Sequence, residues 1–177
     1  ANTDKEGYST CDINECSCNY REDKFSVITS ANIVNLEYFE EIGRFNDKLF
    51  IDMVDYDYCL RINIKKFKIL YFPDVFVEHK LGEVHLRTNI FTRKKKYKTE
   101  HNAQRAYYIS RNSLYLSKNY GKYFPKEFGM LHILNIVFIH DVTKILLYEI
   151  DKRNKLKAKF IGLYHFLINR YGKYNLK

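Results

Sequence analysis

Leu49-Phe50-Ile51-Asp52-Met53-Val54-Asp55-Tyr56-Asp57-Tyr58-Cys59-Leu60-Arg61 sets three carboxylates and an arginine among apolar residues, a spacing unlike that of a solvated, salt-bridged helix surface. Ile51, Val54, Tyr58 and Leu60 to Ile62 fit the apolar positions of a helix that begins between Asp52 and Asp55, where carboxylates meet the positive end of the helix dipole. Eighteen residues past Arg61, the segment Val75-Phe76-Val77-Glu78-His79 ends in a histidine. Carboxylates and a histidine converging on one site are the residue types that a metal-assisted transfer onto a hydroxyl requires. The plainer readings are helix capping for Asp55 and Asp57, an i,i+4 pair between Asp57 and Arg61, and a structural strand-end role for His79.

Outward from that run, residues 1–24 are polar and aperiodic, the pattern of a loop or boundary segment. Phe25 to Thr29 alternates and then meets Ser30-Ala31-Asn32, which predicts a short strand feeding a helix start. Leu36 to Ile42 is amphipathic, with Glu37, Glu40 and Glu41 on its wet side and Gly43 placed to end it. Downstream, residues 67–78 predict one or two strands broken at Pro73, and residues 82–100 a basic linker containing Arg93-Lys94-Lys95-Lys96. A helix over 101–118 then carries Arg105, Tyr108, Asn112 and Tyr115 on one face, with Arg111 beside them. Residues 126–150 predict an apolar helix that His132, Asn135, Asp141 and Lys144 make too polar to span a bilayer. In the last helix Leu156, Phe160, Leu163, Leu167 and Tyr171 form an apolar stripe, with Lys155, Lys159 and Arg170 off it, the pattern of a helical hairpin or an interfacial membrane helix.

At 177 residues and 46% hydrophobic, the chain can build one domain with an appendage and is no disordered tail. Its net charge of +9 calls for an anionic partner, a class that includes nucleic acid, lipid head groups and phosphorylated small molecules. No uninterrupted apolar run reaches the length of a membrane span and no leader pattern opens the sequence, so the chain reads as cytoplasmic. Cys11, Cys16 and Cys18 lack a C-x-x-C step, so free thiols are expected there before zinc.

The ordered motifs Gly43-x-Phe45-Asn46-Asp47-x-Leu49-Phe50-Ile51-Asp52-x-Val54-Asp55-x-Asp57-Tyr58-Cys59-Leu60-Arg61, then Phe67-Lys68-Ile69, Pro73, His79-x-x-Gly82 and Arg105-x-Tyr107-Tyr108-x-x-Arg111-Asn112 carry a resemblance. From about residue 27 to 120 the chain resembles the second half of a family 2 glycosyltransferase, most of all the bacterial rhamnosyltransferases. The resemblance implies an α/β fold: a partial GT-A-type mixed sheet over residues 25–100, the acceptor-side half, followed by a basic amphipathic α-helical region over 101–177. It implies an inverting transfer in which Asp55 is the catalytic base, Asp57 and Arg61 shape the acceptor pocket or brace the helix, and Ser30 and Asn32 form a small polar turn near the sugar and acceptor. His79 would complete the coordination of Mg²⁺ or Mn²⁺ on the leaving diphosphate, once a nucleotide-binding half is present. Arg105, Tyr108 and Arg111 would bind diphosphate or acceptor, or else pack as an aromatic-basic helix on the sheet.

Three departures bear on the sugar: Val54 stands where most relatives have Glu, as in the rhamnosyl branch, Lys66 stands where they have Gly, and the usual Gly after the small polar turn is replaced. Nothing before residue 27 matches a nucleotide-binding half with its Asp-x-Asp motif, since Asp55-Tyr56-Asp57 belongs to the base helix. The chain is therefore expected to be part of a larger enzyme and not to turn over alone. Its expected partners are a nucleotide sugar donor, a saccharide or lipid-linked acceptor and the anionic inner face of the cell membrane. An uncovered sheet edge would favour a homodimer. The readings from other classes are a nucleic-acid module built on Arg93 to Lys98, which is not expected, and a membrane-surface scaffold built on the last two helices.

Overall fold

The structure, a computed structural model, describes residues 2–3, 9–10, 24–30, 32–72, 84–88, 93, 95–99 and 101–176. In chain order these hold β1 (Asn2–Thr3), β2 (Ser9–Thr10), α1 (Leu36–Ile42), α2 (Val54–Ile64), β3 (Val84–Thr88), β4 (Lys95–Thr99), α3 (Ala103–Tyr120), α4 (Pro125–Phe128), α5 (Met130–Leu134), a π-helical segment (Asn135–His140), α6 (Asp141–Tyr148) and α7 (Lys152–Leu167). The chain divides into two compact units, one of Ala1–Phe45 with Asp55–Val84 and one of Asn46–Val54 with His85–Lys177.

The expected GT-A-type mixed sheet is not found. Strands among the described residues are confined to two two-stranded pairs, β1 with β2 and β3 with β4, and the described chain is mostly helical. The reason is visible at Phe25 to Thr29, which is irregular. Its backbone is met by side chains of α2 instead of a neighbouring strand: Asn63 donates to the Phe25 carbonyl at 2.9 Å, and the Cys59 thiol donates to the Val27 carbonyl at 3.8 Å. The apolar run from Phe67 to Leu70 is likewise irregular, with the Phe67 ring 4.9 Å from Tyr38 of α1. Residues 73–78 of that expected strand lie outside the described residues, as do Cys11, Cys16 and Cys18. The basic stretch read as a linker contributes β3 and β4.

In the first unit, α1 occupies the span its amphipathic pattern predicts. The Asn35 side chain accepts from the Glu37 N–H at one end, and Gly43, at φ 88°, ends the helix where a side chain would be strained. Its core is aromatic: Phe39, Phe45 and Tyr58 meet at ring-centroid distances of 5.3, 5.6 and 5.0 Å.

The second unit is built on α3, capped by Asn102, whose side chain accepts from the Arg105 N–H at 2.9 Å. Ala106, Tyr107 and Tyr108 of α3 pack with Ala158 of α7, and Tyr174 and Leu176 close over them. α7 packs inward through a face other than its apolar stripe. Its buried positions are Lys155, Ala158, Lys159, Gly162 and His165, whereas Phe160 and Leu167 of the apolar stripe are 57% and 65% exposed. Close approach decides this: a Cβ at Gly162 would lie 2.7 Å from the Tyr107 carbonyl, so only a small-residue face can sit against α3. The lysines on that face are neutralised, Lys155 by Glu149 at 3.0 Å and Lys159 by Asp141 at 3.2 Å.

The helical run Pro125–Tyr148 is 24 residues long and, by length and composition, apolar enough to cross a membrane, against the expectation that its polar residues place it below that threshold. Two of the four interruptions, His132 and Asn135, carry no fixed charge, and the π turn at Asn135–His140 joins α5 to α6 without a break. Ile133, Val137 and Ile145 face inward along it.

Candidate functional site

The three carboxylates of the 49–61 run have three different fates. Asp52, in the second unit, is bound by the Arg105 guanidinium through Nε at 3.2 Å and Nη2 at 2.5 Å. That bond, more than the Coulomb attraction, holds the Arg105 pKa above its ordinary value. Asp57, in the first unit, is fully buried and accepts from Arg61 Nε at 3.0 Å and Nη2 at 2.9 Å. Arg61 goes on to donate to the carbonyls of Ile42, Gly43 and Arg44, so one cation caps the open end of α1 and fastens it to α2. Asp55, in the first turn of α2, is half-buried, and its Oδ1 accepts from the Tyr56 N–H at 3.0 Å. Among the described residues no cation lies within ion-pair distance of Asp55.

Ser30 and Asn32 are exposed, and the Asn32 N–H donates to the Thr29 carbonyl at 3.3 Å. Next to Asp57, the Cys59 thiol is buried and its pKa is raised, first by that burial. The Tyr58 hydroxyl, also buried, has no partner among the described residues.

In the second unit the loop 46–54 is clamped by two adjacent residues of α3. Arg111, fully buried, donates through Nη2 to the carbonyls of Lys48 (3.1 Å) and Leu49 (3.0 Å), and through Nη1 to Gly172 (2.8 Å). The Asn112 amide spreads its two N–H groups over the carbonyls of Leu49 (3.0 Å), Ile51 (2.8 Å) and Asp52 (2.9 Å), while its oxygen accepts from Arg111 Nε at 3.0 Å. The clamp holds a strained backbone: Phe50, Asp52 and Met53 are left-handed, at φ 65°, 59° and 65°. Phe50, thus turned out, lies 5.5 Å from Tyr108 and under the Lys173 ammonium at 5.8 Å. Tyr108 pins the C-terminal segment, donating to the Tyr174 carbonyl at 3.0 Å and accepting its N–H at 2.8 Å.

Behind the clamp, Arg111 Nη1 donates to the Tyr107 hydroxyl at 3.1 Å, and that hydroxyl shares a hydrogen bond with His165 Nδ1 at 2.8 Å. Burial, then the charges of Arg170 and Arg111, lowers the His165 pKa. A cavity of about 150 Å³ in the same unit is bordered by His101, Asp141, Lys144, Glu149, Lys155 and Lys159. Burial, then the charges of Arg105 and Lys144, lowers the His101 pKa, and burial lowers that of Lys159 against the pull of Asp141.

Of the residues read from the sequence, then, Asp57 is brought to Arg61 and Arg111 to the loop, while Arg105 meets Asp52 and Tyr108 meets Tyr174. His79 lies outside the described residues, and among those described no three His, Cys, Asp or Glu side chains could hold a metal ion. Sequence reasoning missed the Asp52–Arg105 pair and the left-handed run. The pair joins residues 53 positions apart, and the run contains no glycine to mark it.

No protein-family profile matches the chain, and no solved structure matches it. Over 97 residues it is 33% identical to the dTDP-rhamnosyl transferase RfbF of Shigella flexneri. The matched region is 52% of this chain and 30% of that protein's length. Over about half of its length, then, the chain is glycosyltransferase-like.

Proposed function

We propose that this chain is the acceptor-binding, base-supplying portion of an inverting glycosyltransferase. The observation that carries the reading is the division of labour among its carboxylates. Asp52 is committed to Arg105 and Asp57 to Arg61, which leaves Asp55 as the carboxylate of the run with no cation paired to it among the described residues. A carboxylate tied up by a guanidinium is a poor proton acceptor, whereas one that accepts a single backbone N–H at a helix start keeps lone pairs for a substrate.

In the proposed reaction the acceptor hydroxyl oxygen attacks the anomeric carbon of a nucleotide-activated sugar. Asp55 takes the hydroxyl proton as the new C–O bond forms, and the bond to the nucleoside diphosphate breaks with its electron pair on the departing oxygen. Attack opposite the leaving group inverts the anomeric centre. The relative's name makes a dTDP-activated rhamnose the first donor to try, with saccharide or lipid-linked alcohols as acceptors. Because the matched region covers 30% of that relative, donor binding is assigned to protein outside this chain.

The test is Asp55→Asn in the longest protein that contains this chain, assayed for sugar transfer. Turnover should fall by roughly 10²–10⁴-fold with the circular dichroism spectrum and donor affinity unchanged. Retention of more than about a tenth of the rate would sink the assignment. The 177-residue chain alone should neither turn over nor bind a nucleotide sugar tightly.

A further inference from the structure

The second unit leaves a long apolar ridge uncovered. Along Pro125–Tyr148 only 17% of the most apolar stretch is buried. The inward positions Ile133, Val137 and Ile145 pack on the protein, while Leu131, Ile139 and Leu146 are 84%, 64% and 46% exposed. α7 extends the same surface: Phe160 lies 6.4 Å from Phe138 of the long helix and is itself 57% exposed, and Leu167, two turns on, is 65% exposed. Side chains of this size left in water over two adjoining helices exceed the scattered apolar exposure of an ordinary surface.

Charge identifies the occupant. Lys122 and Lys126 outnumber Glu127 at one end of the long helix, and Lys152 and Arg153 outnumber Asp151 just past the other, in a chain with a net charge of +9. Basic residues flanking an apolar helix face are what an anionic lipid surface attracts, whereas a protein partner would have to be acidic around an apolar centre. The neighbouring helix decides between lying and spanning. The first eight residues of α7 contain Lys152, Arg153, Lys155, Lys157 and Lys159, and α7 is packed on the long helix through Phe160 and the Lys159–Asp141 pair. Lys155 and Lys159 are buried in their pairs with Glu149 and Asp141, but Lys152, Arg153 and Lys157 cannot follow a partner helix into hydrocarbon without heavy desolvation, whereas at the head-group level they reach phosphate.

We infer that Pro125–Tyr148 and the Phe160–Leu167 edge of α7 form a seat that lies flat in the head-group region of an anionic membrane. This inference stands independently of the transfer chemistry proposed for Asp55.

The chain contains no tryptophan, so one introduced residue reports on its own surroundings. Leu131→Trp and Ile139→Trp are prepared in the full chain, with Tyr38→Trp on the first unit as the control. Each is titrated with vesicles of phosphatidylcholine alone and of phosphatidylcholine with 30% phosphatidylglycerol. Both ridge tryptophans should shift to the blue and be quenched by lipids brominated near the head of the acyl chain, only with the anionic vesicles. Binding should weaken at least fivefold between low and high salt, and the Tyr38→Trp emission should stay put. Ile139→Glu should weaken binding roughly tenfold or more, with an unchanged circular dichroism spectrum. Ridge emission that ignores anionic vesicles overturns the inference. So does an equal shift in the control, which means adsorption of unfolded chain. A blue shift without vesicles, accompanied by concentration-dependent sedimentation, gives the ridge to a second copy and overturns it as well. Stronger quenching by bromines at the chain terminus replaces the flat seat with a span.

Discussion

Asn112 is the most exacting place to perturb this molecule, because one small amide serves three backbone carbonyls and a buried cation. In Asn112→Ala the Leu49 carbonyl keeps Arg111 Nη2, but those of Ile51 and Asp52 lose the donor they have in this clamp. With partial access to water, each such loss costs about 1 kcal/mol. Arg111 Nε, buried and charged, loses its acceptor, which costs about 2 kcal/mol more. The loop has its own reason to spring open, since Phe50, Asp52 and Met53 are held left-handed. A loss of about 4 kcal/mol is therefore expected, a large share of the 5–15 kcal/mol that typically separates folded from unfolded domains. With a urea dependence of about 2 kcal/mol per molar, the midpoint of the second unit's transition should fall by about 2 M, read by circular dichroism. Asn112→Asp should be at least as harmful: it restores an acceptor for Arg111 but turns a negative charge toward the loop carbonyls. A midpoint shift below about 0.5 M in Asn112→Ala refutes the reasoning, and so does rescue by Asn112→Asp, which would put the whole effect in the Arg111 bond.

Gly162→Ala should destabilise the second unit by about 1–3 kcal/mol, because the new methyl would lie 2.7 Å from the Tyr107 carbonyl and force α7 off α3; an unchanged melting midpoint would show that the contact yields. The buried histidines set a pH dependence. His165 and His101 both have folded pKa values below the ordinary 6.5, so below that pH the unfolded chain takes up protons that the folded chain refuses. Their contribution is complete above about pH 6.5 and drains away as the pH falls through the folded values. The urea midpoint should therefore drop between pH 7 and pH 5, and His165→Gln should flatten part of that drop; a profile identical to the parent's would mean that His165 does not titrate across folding.

α1, α2 and α3 were legible because each follows a local rule: Glu37, Glu40 and Glu41 opposite an apolar face, carboxylates at a helix start, and Arg105, Tyr108, Asn112 and Tyr115 at helical spacing on one face. The i,i+4 pairing of Asp57 with Arg61 was also readable from spacing. What Arg61 does beyond that, capping α1 through three carbonyls 17 to 19 residues away, was not. The strand reading of Phe25 to Thr29 failed for a related cause. An alternating apolar run states only that one side is covered, and here Cys59 and Asn63 of α2 do the covering that a neighbouring strand would do in a sheet.

The sequence by itself determined the helices with regular apolar spacing and clean caps, the basic character of the chain and the acidic run at 52–57, because these depend on neighbours within a turn or two. Tertiary structure alone decided that Asp52 is neutralised, since Arg105 is brought to it across 53 residues. It also decided which face of α7 turns inward. Hydrophobic spacing put Phe160 and Leu167 on one stripe and left open whether it packs in a hairpin or faces a membrane; close packing at Gly162 then set the inward face, and Glu149 and Asp141 were at hand to neutralise the lysines drawn in with it. Burial ranks whole faces by fit as well as by apolarity, and fit is a property of two surfaces, of which a sequence pattern displays only one.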